Sequence, residues 1–211
     1  VTHAHFDHFY GLAAFDDLPT YGHESFEAAL QADQVAAEAA DLGFDPEELR
    51  APNRPLALAR MIDLGDRHVE IVHFGPGHTA GDVVVIVPDA DVIVTGDLYE
   101  QSAPPAMGAD CHLKAWPVAL DGILGLVNER TLLVPGHGEP FDRVFAFTQR
   151  AEISAVYGQV EYLIAQGVKL DDALKTGEWQ YDDDTIAAVL PIAYAQLAAE
   201  GKVPRPKLRL L

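Results

Sequence analysis

Thr2-His3-Ala4-His5-Phe6-Asp7-His8 places three imidazoles and a carboxylate within six consecutive positions, His3 to His8. In an extended segment His3 and His5 fall on the same side and can chelate one cation together. Asp7 and His8 are adjacent, and a turn there sends them toward a neighbouring cation. Three more donors stand in turn-like settings downstream: His78 in GPGHTAGD (75–82), Asp97 in VTGDLYE (94–100) and His137 in VPGHGEP (134–140). A divalent metal takes about four ligands, usually with water among them in a catalytic site. These seven donors therefore suffice for two metals, and the two carboxylate oxygens of Asp97 could bridge them. Gly77, Gly81, Gly96, Gly136 and Gly138 let the backbone turn sharply beside the donors.

The segments around these motifs read as strands and helices. Thr20–Tyr21, Val69–Phe74, Val83–Val87, Val92–Thr95 and Thr131–Val134 are strand-like, β-branched and bounded by Gly, Pro or Asp. Pro88–Asp91 reads as a tight hairpin turn. Helical spacing predicts a helix from Glu24 to Leu42 with Gly43 as its C-cap, and further helices at Pro117–Val127, Asp142–Gln166, Leu170–Lys175 and Asp183–Glu200. Asp97 to Trp116 is long and aperiodic, the mark of a functional or disordered loop. His78, Asp97 and His137 each follow a strand, and strand ends reach one rim of a sheet, where a site can be built from distant sequence. The mixed order of elements predicts α/β or α+β architecture with helices covering sheet faces.

At 211 residues the chain suits one domain, 1–211, with the ligand motifs in 1–140, a helical part in 141–203 and a tail at 204–211. Its 33 acidic and 14 basic residues give a net charge of −19, which repels phosphate backbones and anionic membranes. Nucleic acid and membrane are therefore not expected partners, and a small-molecule substrate is. Cys111 stands alone, so neither an internal disulfide nor a cysteine-rich zinc site is expected. The longest apolar runs, such as Val83 to Val87, are too short to span a bilayer. With no visible signal peptide, a cytoplasmic protein is expected. The chain opens on Val and directly on its richest motif, so upstream sequence is expected to be missing.

THAHFDH, GHTAGD, TGDLYE and PGHGEP, in that order, resemble the successive ligand motifs of the metallo-β-lactamase-fold hydrolases, over Val1 to about Pro140. The resemblance implies an αββα four-layer sandwich with a dinuclear site on one edge. It implies His3, His5 and His78 on one zinc, Asp7, His8 and His137 on the other, and Asp97 bridging. Two Zn2+ per chain are thus expected, with Fe or Mn as the other metals to consider. An aspartate at 97 is more similar to the glyoxalase II and lactonase branches than to the β-lactamases with a cysteine near there. Family members carry several strands before the first motif, so this sequence resembles an N-terminally truncated member with an exposed sheet edge.

The implied chemistry is hydrolysis, with a metal-bridged hydroxide attacking a small ester, thioester, lactone or lactam carbonyl. Asp7, a ligand beside that hydroxide, is expected to orient it and to shuttle its proton to the leaving atom. Two other readings compete. One is a persulfide dioxygenase-like oxidoreductase with a single iron on two His and one Asp, which would leave Asp7, His8 and His137 unused. The other is a truncated metal-binding domain without catalysis. Asp82 is expected to orient a ligand imidazole from outside. Tyr99, His112, Lys114 and Trp116 lie where they could line a pocket, with ordinary packing the simpler reading; His23, His68 and His73 read as structural or exposed.

Overall fold

The Val/Ile runs between residues 68 and 96 alternate their side chains between two faces, and both faces are covered. The structure, a computed structural model, describes residues 1–205. In chain order the elements are α1 (Phe6–Phe9), β1 (Tyr21–His23), α2 (Phe26–Leu30), α3 (Asp33–Asp41), β2 (Arg54–Leu56), β3 (Ala59–Asp63), β4 (His68–Val72), β5 (Val84–Val87) and β6 (Val92–Gly96). They continue with α4 (Trp116–Leu124), β7 (Leu132–Pro135), α5 (Arg143–Ala165), α6 (Leu170–Thr176) and α7 (Asp183–Ala199).

Among the described residues the strands form two sheets, β3-β4-β5-β6-β7 and a parallel β1-β2 pair. On β5, Val84 and Ile86 join a cluster with Leu120, Ile153, Val160 and Leu190, so α4, α5 and α7 cover that face. Val85 points the other way, toward a second cluster built on Leu56, Ile71 and Val83. Beyond the small sheet, Phe9, Tyr10, Phe26, Ala39 and Leu49 pack the N-terminal helices together. Mixed helices and sheets are as the sequence predicts and consistent with the αββα sandwich that the resemblance implies, with β1 and β2 as the whole of the smaller sheet among the described residues.

The helical layer is fixed by its sequence. The Asp142 carboxylate accepts the N–H groups of Val144 and Phe145, starting α5. Along α5, Ala146, Gln149, Ile153, Val156, Val160 and Leu163 recur at three- and four-residue spacing and are buried. Full burial of a side chain such as Ile153 stabilises the fold by about 1.5–3 kcal/mol. Arg150 reaches across to Asp121 on α4 through two bonds of 2.8 and 2.6 Å.

β2 and β3 go beyond the strands the sequence predicts. β3 is an edge strand exposed at four of its five positions, so it carries no alternation to read. The predicted helix from Glu24 to Leu42 is two helices, broken where Ala32 is extended (φ −71, ψ 132). The break lets Phe26 on α2 and Ala39 on α3 both reach the Phe9–Tyr10 cluster. Gly43 lies just past α3 with φ +83, as its predicted capping role requires. The predicted turn at Pro88–Asp91 joins antiparallel β5 and β6, with Asp91 left-handed (φ 54). Of the predicted tail, Pro204 and Arg205 carry no regular structure, and 206–211 lie outside the described residues. Among the described residues no helix is long and apolar enough to cross a membrane.

Candidate metal centre

β7 runs parallel to β6, and β4 runs the same way because β5 is antiparallel to both β4 and β6. All three therefore finish on one rim. Asp97 is the first residue after β6, His137 lies two residues after β7, and His78 sits in the turn that leads from β4 to β5. The Thr2 carbonyl accepts the Val83 N–H at 2.9 Å and lays the first motif across this rim. His5 is extended (φ −106, ψ 153), and α1 follows at once with Asp7 in its first turn. The turn expected at Asp7–His8 is thus a single helical turn.

Two close approaches hold the rim together. Gly136 N–H donates to the Gly96 carbonyl at 3.0 Å, and a side chain on Gly136 would overlap Asp97 Oδ1. Gly96 is left-handed (φ +54), at an irregularity in the β6–β7 register.

All seven donors meet here. His3, His5 and His78 form one group whose donor atoms lie within 4.8 Å of one another, and Asp7, His8 and His137 form another. In the first, His5 Nδ1 faces His78 Nε2 at 2.9 Å. In the second, Asp7 Oδ2 is 2.9 Å from His137 Nε2 and 3.4 Å from His8 Nε2. Asp97 faces both: Oδ1 is 3.2 Å from His8 Nε2, while Oδ2 is 3.4 Å from His137, 3.7 Å from His78 and 3.8 Å from His3. These spacings bracket the roughly 3.3 Å edges of a tetrahedral shell with ligands at about 2.0–2.1 Å.

The protein itself leaves two of these atoms unsatisfied. His3 Nε2 and Asp97 Oδ1 are buried without a hydrogen-bond partner, a condition that costs about 1–3 kcal/mol per group. Burial and the surrounding imidazoles push His3 well below the usual histidine range. Burial, then the charge on His5, pushes His78 down to about 4. Neutral imidazole is the form that binds metals. Burial pushes Asp97 up, but neighbouring His8, with His78 and His137, outweighs it and holds the carboxyl below its ordinary value. A nitrogen- and oxygen-lined cluster with orphaned buried atoms fits one or more divalent cations.

Outer contacts aim the rings. His78 Nδ1 meets the Ala106 carbonyl at 3.0 Å, His5 Nε2 meets Asp110 Oδ2 at 2.9 Å, and Thr2 Oγ1 lies 3.2 Å from His3 Nδ1. Asp82 departs from its expected role. Its buried carboxylate accepts Gly77 N–H at 3.2 Å, Thr79 N–H at 2.9 Å and the Thr79 hydroxyl at 2.8 Å, so it shapes the turn carrying His78 rather than holding an imidazole. Burial pushes its carboxyl up to about 7 against those bonds. Tyr99 and Trp116 are fully buried, and Trp116 donates its Nε1–H to the Leu98 carbonyl, so neither lines an open pocket. Lys114 pairs with Glu200 at 2.9 Å. His23 and His73 pack ring on ring at 4.1 Å, and His68 is paired at the surface with Glu70.

Asp110 and Glu100 are the residues sequence reasoning misses. Asp110 lies 105 positions from His5 in an aperiodic loop, with no local signal. Glu100 carries a faint one, three positions after Asp97, and its carboxylate falls within 4.8 Å of donor atoms of Asp97 and His137.

Comparison with known proteins gives a consistent result. A family model described as the metallo-beta-lactamase superfamily matches residues 1–139. The metallo-beta-lactamase type 2 of Bacillus cereus is 28% identical over 145 residues, 68% of this chain and 52% of that protein. The acyl-coenzyme A thioesterase MBLAC2 of Bos taurus is 30% identical over 165 residues, 69% of this chain and 58% of that protein. Among solved structures, a metallo-beta-lactamase from Pontibacter korlensis aligns with a TM-score of 0.56 at 25% identity, covering 72% of this chain and 66% of the other. The chain spans little more than half the length of these two curated relatives.

Proposed function

The chain belongs to the metallo-beta-lactamase superfamily, and from that premise we propose that it is a metal-dependent hydrolase of small carbonyl substrates. The observation that carries this reading is Asp97, one carboxylate facing a three-histidine group on one side and Asp7, His8 and His137 on the other. His3, His5 and His78 would hold one divalent cation, Asp7, His8 and His137 a second, with Asp97 shared and zinc the expected metal. Metals held there would lower the pKa of a bound water to about 7 and polarise a carbonyl oxygen.

The chain's own groups account for the rest. Asp7 is an exposed residue, and its Oδ2 lies against His137 and His8. In this reading Asp7 would hold a proton and pass it to the leaving atom of an ester, thioester, lactone or lactam. His3, His78 and Asp97 are buried, which keeps bulk water from the inner side of the cluster. The match to an acyl-coenzyme A thioesterase makes thioesters the first substrates to try, with lactams next because β-lactamases match as well.

The persulfide-dioxygenase reading leaves three of the converging donors, Asp7, His8 and His137, without a role. Metal analysis of the purified chain tests the choice. About two zincs per chain, with turnover of a thioester, lactone or lactam, is the expected result; one iron and no hydrolysis would replace it with oxygen chemistry.

A further inference from the structure

Glu100 is a buried carboxylate, 6% exposed, that the sevenfold donor set does not use. Among the described residues no Lys, Arg or His forms an ion pair with it. Buried carboxylates are ordinarily paired or coordinated to a metal. Ser102 donates its N–H and hydroxyl to Oε1, at 2.9 and 2.7 Å, and leaves Oε2 for another partner.

The backbone around Glu100 is clamped. Buried Gln149 accepts the Glu100 N–H at 3.0 Å and donates to its carbonyl at 2.6 Å. The next residue ties the segment to the His137 loop: Gln101 N–H donates to the His137 carbonyl at 3.1 Å, and the Glu139 N–H donates to Gln101 Oε1 at 2.9 Å. These four bonds bring the Glu100 carboxylate beside Asp97 and His137. Asp97 Oδ1, which faces His8 Nε2 at 3.2 Å in the same metal position, is one of the buried atoms without a partner.

We propose that Glu100 is a further ligand of the metal position formed by Asp7, His8 and His137. The proposal rests on the metal-hydrolase reading above. It makes the two positions chemically unequal. The first is built from three imidazoles and shared Asp97. The second gains Glu100 and so carries three carboxylates, with Asp7 and Asp97, beside two imidazoles. Oxygen-rich sets of higher coordination number suit Mn2+ better than they suit Zn2+. The second position is therefore the one that accepts Mn2+.

Chelator-competition titrations of the purified chain with Mn2+ and with Zn2+, supported by the electron paramagnetic resonance of bound Mn2+, test this without any substrate. Glu100→Gln keeps an acceptor for Ser102 and removes the charge. It is expected to weaken Mn2+ at one position by at least about tenfold and leave the tighter Zn2+ position unchanged. Glu100→Asp, which keeps the charge, is expected to recover part of the loss, and Ser102→Ala to change neither affinity. If Glu100→Gln binds both metals like the unaltered chain, or Ser102→Ala is as damaging as Glu100→Gln, the assignment is overturned and the hydrolase reading stands. If the unaltered chain binds no metal, both fall.

Discussion

His5 Nδ1 and His78 Nε2 face each other across 2.9 Å while the far nitrogen of each ring is engaged outside the cluster, His5 by Asp110 Oδ2 at 2.9 Å and His78 by the Ala106 carbonyl at 3.0 Å. Those acceptors keep a proton on each outer nitrogen. The inner nitrogens then present lone pairs to the same space, which a shared cation satisfies and a second imidazole does not. The outer acceptors belong to the loop after Asp97, so the loop orients rings that the first and second motifs supply.

Asp110 should accordingly behave as a positioning residue. Asp110→Ala is expected to lower affinity for the more tightly held metal by about 10–100-fold with little change in the thermal melt of the metal-free chain, because Asp110 is exposed. Zinc titration against a chelator of known affinity reads this directly. Unchanged affinity would mean that His5 is aimed by its backbone alone.

The two halves of the first motif should be separable. His5→Ala removes a donor from the three-histidine group and Asp7→Ala one from the group with His8 and His137. Each is expected to abolish hydrolysis while the far-ultraviolet circular dichroism stays unchanged, and metal analysis should find about one metal retained in each. Turnover at the unaltered rate in either variant would show that the residue lies outside the reacting centre.

Stripping the metals should destabilise the chain, because the buried His3 and Asp97 atoms then lack partners. A cation present at a hundred times its dissociation constant stabilises by about 2.7 kcal/mol. That corresponds to a melting temperature about 5–10 °C higher for a chain of this size. Calorimetry before and after chelation, and again after adding Zn2+ back, measures it; a melt indifferent to chelation would mean that the cluster is stable without metal.

Much of the centre was legible because the donors sit next to signals that act locally. His78, Asp97 and His137 follow strand-like runs and are each directly preceded by a glycine, and parallel β6 and β7 bring Gly96 and Gly136 into contact. What was hidden depends on distant pairing. β2 contains Pro55 and is defined by its pairing with three-residue β1, and exposed β3 has no apolar alternation. The α2–α3 break falls at Ala32, a good helix former, because the packing of Phe26 and Ala39 decides it. Asp110 reaches His5 through an aperiodic loop, so no spacing rule points to it.

Asp82 offers the sharpest test of how the His78 turn is held. Its two oxygens accept from Gly77 N–H, Thr79 N–H and the Thr79 hydroxyl, all buried. Asp82→Asn keeps the volume but turns one acceptor into a donor, which must then face an N–H or hydroxyl that was donating. One or two buried donors lose their acceptor, at about 1–3 kcal/mol each. The expected loss is about 2–4 kcal/mol, read as a melting temperature about 5–15 °C lower. Thr79→Ala, which removes the hydroxyl but keeps the turn's N–H bonds, should cost less than half as much. Because the turn carries His78, the same Asp82→Asn variant should also hold zinc more weakly. A variant with full zinc affinity and a lowered melt would confine Asp82 to stability, and one with an unchanged melt would remove it from both roles.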